Sequence, residues 1–161
     1  MELAICSFAS SSAGNSFLIQ SRNTRILADI GISAKKTEES LAACGLSCAE
    51  LDGIVLTHEH VDHIKGIGTL LSKKNYHRPV FTTRGTYEFV AEKHPQTAGK
   101  PFELLRGGDL FTIGDLQIGA FAISHDAAEP VGYTFQKGGR KIALVTDTGC
   151  MTEEIFTAIR G

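Results

Sequence analysis

The chain has 161 residues, of which 42% are hydrophobic and 21% charged, and this size and composition fit one globular domain that can bury a core. Its formal net charge of −2 gives no overall attraction for nucleic acid or for an anionic membrane. No apolar run approaches the roughly 18 residues of a membrane span, and the N-terminus lacks a basic signal region. We therefore expect a single cytoplasmic domain over residues 1–161, away from any membrane, with four reduced cysteines.

The first two thirds of the chain predict a meander followed by alternating helices and strands. Three short apolar runs separated by polar turn clusters predict an antiparallel meander over residues 3–8, 16–20 and 24–29. Helical patterns follow over residues 33–44, 64–73 and 86–93, and the first of them closes at Gly45. Further strands are predicted over residues 53–57, 80–82 and 102–105.

Two hairpins and a helix are predicted in the last third. Gly114 and Asp115 separate one pair of strand-like runs, and residues 137–140 separate another pair. These runs cover residues 109–113, 116–121, 131–136 and 141–145. Thr152 is a suitable cap for a helix that extends to residue 160. The sequence therefore predicts a mixed α and β domain.

The run Thr-His-Glu-His-Val-Asp-His directly follows the apolar strand that is predicted to end near residue 57. Imidazole nitrogens and carboxylate oxygens suit zinc, manganese or iron. In an extended segment His58 and His60 can point to one side, while Asp62 and His63, at the turn into a helix, can face a second ion. The spacing therefore predicts a centre with two metal ions.

Other polar residues are weaker candidates. Glu59 alternates in direction with the histidines, so we expect a supporting or packing role and do not count it as a ligand. His77 and His94 lie among Lys, Arg and Pro in polar connections and are expected to be solvated. Cys44 and Cys48 have no second pair to complete a zinc knuckle, so we interpret them as buried small residues at a helix end.

The His-x-His-x-Asp-His run after an apolar strand resembles the signature of the metallo-β-lactamase superfamily, and the resemblance covers the whole chain. Asp-Ile-Gly at 29–31 resembles the early Asp-x-Gly turn of that superfamily. The segments 124–133 and 146–149 resemble those that carry its third histidine and its bridging aspartate. Together with residues 10–15, these segments resemble the WalJ (YycJ) branch, whose members are regarded as nuclease-like, metal-dependent hydrolases.

The resemblance implies a set of six metal ligands, namely His58, His60 and His125 for one ion, Asp62 and His63 for the other, and Asp147 between them. The ions are expected to be divalent, zinc or manganese rather than iron. Taken alone, His125 also fits an ordinary hydrogen-bonded histidine, and Asp147 also fits an ordinary turn.

The resemblance also implies roles beyond metal binding. Asp62 is expected to take part in catalysis. Ser12 and Asn15 lie on a loop that is near the metals in the superfamily, so they are candidates for substrate binding, although an ordinary turn explains them equally well.

The implied fold is α/β of the sandwich type, the metallo-β-lactamase αββα fold with two packed sheets and helices outside. The superfamily supplies one more histidine after Asp147, but none follows His125 in this chain. We therefore expect the N-terminal part of the fold with its second half incomplete. Such a chain is expected to bind the second metal weakly, to hydrolyse poorly and to self-associate through an uncovered sheet face.

The function expected from these features is a binuclear metal-dependent hydrolase in which a hydroxide between the ions attacks a phosphodiester, with nucleic acid as the partner. Thioester or lactam hydrolysis and iron-dependent oxygen chemistry remain alternatives with the same ligand types. A metal-stabilised binding or regulatory module without catalysis is a further alternative. The sequence has neither a nucleophile elbow nor a phosphate-cradling glycine loop to support another chemistry.

Overall fold

The computed structural model describes residues 3–73 and 76–160. Within these residues the strands are β1 (Ala4–Ser11), β2 (Gly14–Gln20), β3 (Arg25–Ala28), β4 (Gly53–Val55), β5 (Val80–Thr83), β6 (Phe102–Leu105), β7 (Leu110–Ile113), β8 (Leu116–Ala122), β9 (Val131–Lys137) and β10 (Arg140–Leu144). The α-helices are α1 (Ala34–Ala43), α2 (Val61–Ile64), α3 (Ile67–Ser72), α4 (Arg84–Lys93) and α5 (Glu153–Ile159). None of these helices is both long and apolar enough to cross a membrane.

The strands form two sheets. The first has the order β1-β2-β3-β4-β5-β6, antiparallel from β1 to β3 and parallel from β3 to β6. The second has the order β10-β9-β8-β7 and is antiparallel throughout. Helices make the crossovers between the parallel strands, because such strands cannot be joined by a tight turn. The predicted meander and both predicted hairpins are confirmed.

Alternate residues of the strands enter different cores. On β2, Leu18 faces the helices, whereas Phe17 and Ile19 face the second sheet. On the outer side of the second sheet, α5 packs Ile155 against Phe121 of β8. The layers are therefore helices, sheet, sheet and helix, and the predicted α/β sandwich is confirmed.

The helix predicted over residues 64–73 is wrong in its bounds. The chain forms α2 and α3, which are separated at Lys65 and Gly66, and α2 begins directly after His60. The Gly66 amide donates to the Ile30 carbonyl at 2.8 Å, and a Cβ on Gly66 would lie 2.4 Å from the Ile32 carbonyl oxygen. The helix is interrupted because its backbone passes this close to the segment after β3, a contact that local periodicity does not reveal.

Two expectations about side chains also need correction. Cys44 is exposed at the end of α1, whereas Cys48 is buried as expected, and all four cysteines are free thiols. His94 is half-buried because its ring packs against Gly68, where an added Cβ would lie 2.7 Å from His94 Nδ1. This burial lowers the pKa of His94. His77 is exposed as expected.

Asp115 joins the β7–β8 turn of the second sheet to the β2–β3 turn of the first sheet. Asp115, between β7 and β8, accepts hydrogen bonds from the hydroxyls of Ser21 and Thr24 and pairs with Lys137 of β9. Its own amide donates to the Thr24 hydroxyl at 2.9 Å. The hydrogen bond from Lys137, with that from Ser21, holds the pKa of Asp115 well below its usual range.

Replacing Asp115 with Asn should lower the free energy of unfolding by about 1–2 kcal/mol at neutral pH, because the Lys137 ammonium and two hydroxyls lose a charged acceptor. A carboxyl whose pKa is lowered in the folded state stabilises the fold above its unfolded pKa, near 4, and this contribution is lost as the pH falls below that value. The difference from the parent should therefore shrink between about pH 7 and about pH 3 in urea unfolding. Glu103→Gln, which removes an exposed carboxylate, is the control. Equal stability of D115N and the parent at neutral pH would contradict the assignment.

Candidate metal centre

Loops from both sheets meet at the carboxyl ends of the central strands. β3 and β4 are parallel neighbours, so they end side by side and deliver Asp29 and the histidine run to the same edge. The loops after β8 and β10 bring His125 and Asp147 to this edge from the second sheet. The Gly149 amide donates to the Ser124 carbonyl at 2.6 Å and joins these two loops.

Three imidazoles form the first group of candidate ligands. One ring nitrogen from each of His58, His60 and His125 lies within 4.8 Å of the others. His125 Nε2 is 3.0 Å from His60 Nδ1, and the His58 ring centroid lies 4.8 Å from that of His60 and 4.7 Å from that of His125. Three converging imidazole nitrogens are a usual ligand set for zinc.

His58 provides a direct test of whether a metal fits. Its Nε2 is buried and has no hydrogen-bond partner among the described residues. The Thr57 hydroxyl donates to Asp29 at 2.8 Å and lies 3.0 Å from His58 Nδ1, so it accepts the Nδ1 proton and leaves the lone pair on Nε2. Burial lowers the pKa of His58 to about 4, which keeps the ring neutral. An unpartnered buried lone pair is costly, and a divalent cation at this position would satisfy it.

A second group lies beside the first. One nitrogen each of His58 and His63 and one carboxylate oxygen of Asp147 lie within 4.8 Å of one another. His63 Nε2 is 2.8 Å from the Asp147 carboxylate and 3.6 Å from that of Asp62. Asp147 has a φ of 53°, in the left-handed region that Asp tolerates better than most residues. The second group therefore offers two imidazoles and one carboxylate to a cation, and the Asp62 carboxylate lies beside His63.

Asp29 orients the His63 ring directly and the His58 ring through Thr57. It is fully buried and accepts hydrogen bonds from the Thr57 amide and hydroxyl, both at 2.8 Å, and from His63 Nδ1 at 2.7 Å. Since a carboxylate only accepts, His63 carries a proton on Nδ1 and presents Nε2 to Asp62 and Asp147. Burial alone would lower the pKa of His63, but the Asp29 hydrogen bond and the nearby carboxylates raise it overall.

Gly31 lies where three segments touch. A Cβ on Gly31 would lie 1.6 Å from the Asp62 carbonyl oxygen and 2.5 Å from the Asn15 amide nitrogen. The Gly31 amide also donates to the Asn15 carbonyl at 2.8 Å. The start of β2, the turn after β3 and the histidine run are thus in backbone contact, and only glycine fits between them.

The two residues predicted to bind substrate differ in their surroundings. Asn15 is buried. Its side-chain nitrogen Nδ2 lies 3.1 Å from the Ser11 carbonyl, 3.3 Å from the Asp62 carboxylate and 3.1 Å from His63 Nε2. Asn15 therefore holds candidate ligands in place. Ser12 is exposed at the turn between β1 and β2. A role in substrate binding stays a prediction for both residues.

Glu59 connects the histidine run to the loop that carries His125. Its buried carboxylate accepts a hydrogen bond from the Ala128 amide at 2.6 Å and another from the Thr86 hydroxyl at 3.3 Å. These contacts fit the supporting role expected from the sequence.

The chain matches a known protein family. A family model described as a beta-lactamase superfamily domain matches residues 24–161. The chain belongs to the β-lactamase superfamily. The family resemblance predicted from the histidine run is thereby confirmed.

Superfamily members with similar sequences are named as nucleases. The chain is 36% identical over all 161 residues to the exodeoxyribonuclease YycJ of Bacillus anthracis and covers 60% of it. It is 35% identical over 151 residues, 91% of this chain, to the exodeoxyribonuclease WalJ of Streptococcus pneumoniae, of which it covers 55%. The chain therefore spans somewhat more than half the length of these relatives.

Solved structures support the fold. Zinc-bound PqqB from Methylobacterium extorquens matches with a TM-score of 0.74 and 18% identity, over 91% of this chain and 57% of PqqB. At this level of identity the likeness concerns the β-lactamase fold alone.

The structure brings the six candidate ligands to one edge of the sandwich, although the sequence positions span 58 to 147. The sequence pattern indicates only a turn at Asp29 and no functional role for Thr57. A usable signal was present, because polar residues directly after two neighbouring parallel strands must lie close together. The assignment of the six residues as metal ligands stays a prediction.

Replacing Asp29 with Asn should weaken zinc binding by about 10–100-fold, because His63 loses the acceptor that fixes its Nδ1 proton. Isothermal titration of demetallated protein with zinc measures this. The control is Asp52→Asn, which alters a carboxylate that accepts a hydrogen bond from the Arg25 amide at 2.8 Å, away from the metal centre. Unchanged zinc affinity in a folded D29N protein would contradict the orienting role.

Replacing Gly31 with Ala should lower the free energy of unfolding by about 3 kcal/mol or more, because the added Cβ collides with backbone that cannot rotate away. Gly149→Ala is the matched control, since its Cβ would lie 3.4 Å from the Ser124 carbonyl oxygen, an ordinary contact. Urea unfolding of both variants checks this expectation, and a G31A protein as stable as G149A would refute the close contact.

Proposed function

We propose that this chain carries the metal centre of a binuclear metal-dependent hydrolase that cleaves phosphodiester bonds in nucleic acid. The observation that carries the proposal is the buried Nε2 of His58, which lacks a partner among the described residues and lies where the two groups of candidate ligands meet. The names of the similar nucleases support the choice of phosphodiesters over thioesters or lactams.

The proposed assignment gives His58, His60 and His125 to one ion and Asp62 and His63 to the other, with Asp147 between them. His58 has one free lone pair, so it can serve only one ion at a time. The three imidazoles favour zinc at the first position, and the carboxylates at the second accept zinc or manganese. When bound, such ions supply Lewis-acid activation of water and of the phosphate.

The protein's own groups prepare this chemistry. Asp29 fixes which nitrogen of His63 faces the centre, and Thr57 does the same for His58. Asn15 lies within 3.3 Å of the Asp62 carboxylate and restrains it. The Asp62 side chain is 24% exposed, so its carboxylate can contact both a cation and the water molecule that takes part in hydrolysis. Preorganisation of this kind lowers the reorganisation needed at the moment of reaction.

Replacing Asp62 with Ala should lower hydrolysis of bis(p-nitrophenyl) phosphate and of single-stranded DNA by about 100-fold or more, while the fold is kept, because the residue lies on a loop. The assay uses added zinc or manganese, both with the 161-residue chain and with the product of the complete reading frame. Glu103→Ala serves as a surface control.

Undiminished turnover in D62A would count against the proposed mechanism. Tight metal binding without turnover of either substrate, in both protein forms, would favour a binding module and would overturn the hydrolase proposal.

A further inference from the structure

A groove adjoins the metal centre on the side of His60. It has a volume of about 460 Å³ and lies between α2 and α4, with Val61, Ile64 and Lys65 on one side and Phe89 and Lys93 on the other. Its volume falls in the range of sites that bind small molecules. Because His60 belongs both to the groove and to the group of three imidazoles, an occupant of the groove would be a direct neighbour of a phosphate at the centre.

The groove has apolar surfaces that remain exposed. The Val61 side chain is 70% exposed and Phe89 is 39% exposed, while Ile64 is buried beneath them. An aromatic face with branched aliphatic neighbours is a surface on which a planar base can stack.

Positive charge lies at the rim of these apolar surfaces. The Lys93 ammonium is 5.8 Å from the centroid of the Phe89 ring, and its pair with Glu92 at 2.8 Å is exposed on both sides and therefore weak. Lys65 is exposed and makes no side-chain hydrogen bond or ion pair within the described part of the chain. Glu59 also borders the groove, but its carboxylate is engaged by the Ala128 amide and the Thr86 hydroxyl.

We propose that this groove receives a base of a single-stranded nucleic acid whose neighbouring phosphate lies at the metal centre. The base packs against Phe89, and Lys65 and Lys93 contact the flanking phosphates. A duplex keeps its bases paired and stacked, so entry to the groove favours single strands and frayed ends. The inference rests on the proposed hydrolase function and adds its substrate class.

The test compares a fluorescent oligothymidylate of about 12 nucleotides with an abasic strand of the same length, both with phosphorothioate linkages that slow hydrolysis. Fluorescence anisotropy with the zinc-loaded chain should give tighter binding of the thymidine strand. Phe89→Ala should weaken that binding by about 5–100-fold and remove the difference between the strands, because one stacked base is lost. Phe156→Ala is the matched control, since Phe156 is 40% exposed on α5.

Charge is tested separately. Lys65→Ala should weaken binding of both strands equally and reduce the slope of log affinity against log salt by about 0.7, the value for one phosphate contact on a single strand. Arg22→Ala, in the exposed β2–β3 turn at the opposite end of the first sheet, is the charge-matched control and should leave the slope unchanged.

Results of two kinds would overturn the inference. The first is equal affinity of the parent for thymidine and abasic strands, or equal behaviour of F89A and F156A. The second is a dimer in gel filtration that F89A disrupts, because the groove would then belong to a second copy of the chain. Hydrolysis of bis(p-nitrophenyl) phosphate by the parent, a diester without a base, reports on the hydrolase proposal alone, so failure of either proposal can be recognised.

Discussion

The buried carboxylate of Asp29 accepts hydrogen bonds from Thr57, in the loop after β4, and from His63 in α2, while its own backbone follows the end of β3. A charge with no exposed surface persists only where enough donors surround it, and Thr57 and His63 provide them. The direction of the His63 ring and, through Thr57, of the His58 ring follows from this one acceptor. The histidine run therefore depends on the parallel pairing of β3 with β4.

The remaining candidate ligands depend on the packing of one sheet on the other. His125 and Asp147 reach the centre on loops of the second sheet, and the core between the sheets sets their distance from the histidine run. The Glu59 contact with Ala128 and the Gly149 contact with Ser124 fix these loops locally. The packed strands thus hold the loops that carry the candidate ligands, an arrangement that is common at functional sites.

Local patterns in the sequence predicted the elements well where the physics is local. Gly45 ends α1 with a φ of 73°, and the Gly114 and Asp115 hairpin forms as its turn residues require. The interruption at Gly66 and the burial of His94 follow instead from contacts between segments distant in sequence. The hydrophobic periodicity of a short segment therefore could not predict them. The histidine run identified four candidate ligands directly, whereas His125 and Asp147 rested on family resemblance because single residues carry no spacing.

The contact between His125 and His60 joins residues 65 positions apart in the chain, and it crosses from one sheet to the other. Contacts of such long sequence separation stabilise the fold only after the entropic cost of closing the intervening chain has been met. A molecule that has folded only its first sheet holds His58 and His60 but cannot complete the imidazole trio. Under the proposed ligand assignment, the trio would bind its ion only in chains whose two sheets have already docked, so metal binding would report that the sheets have packed.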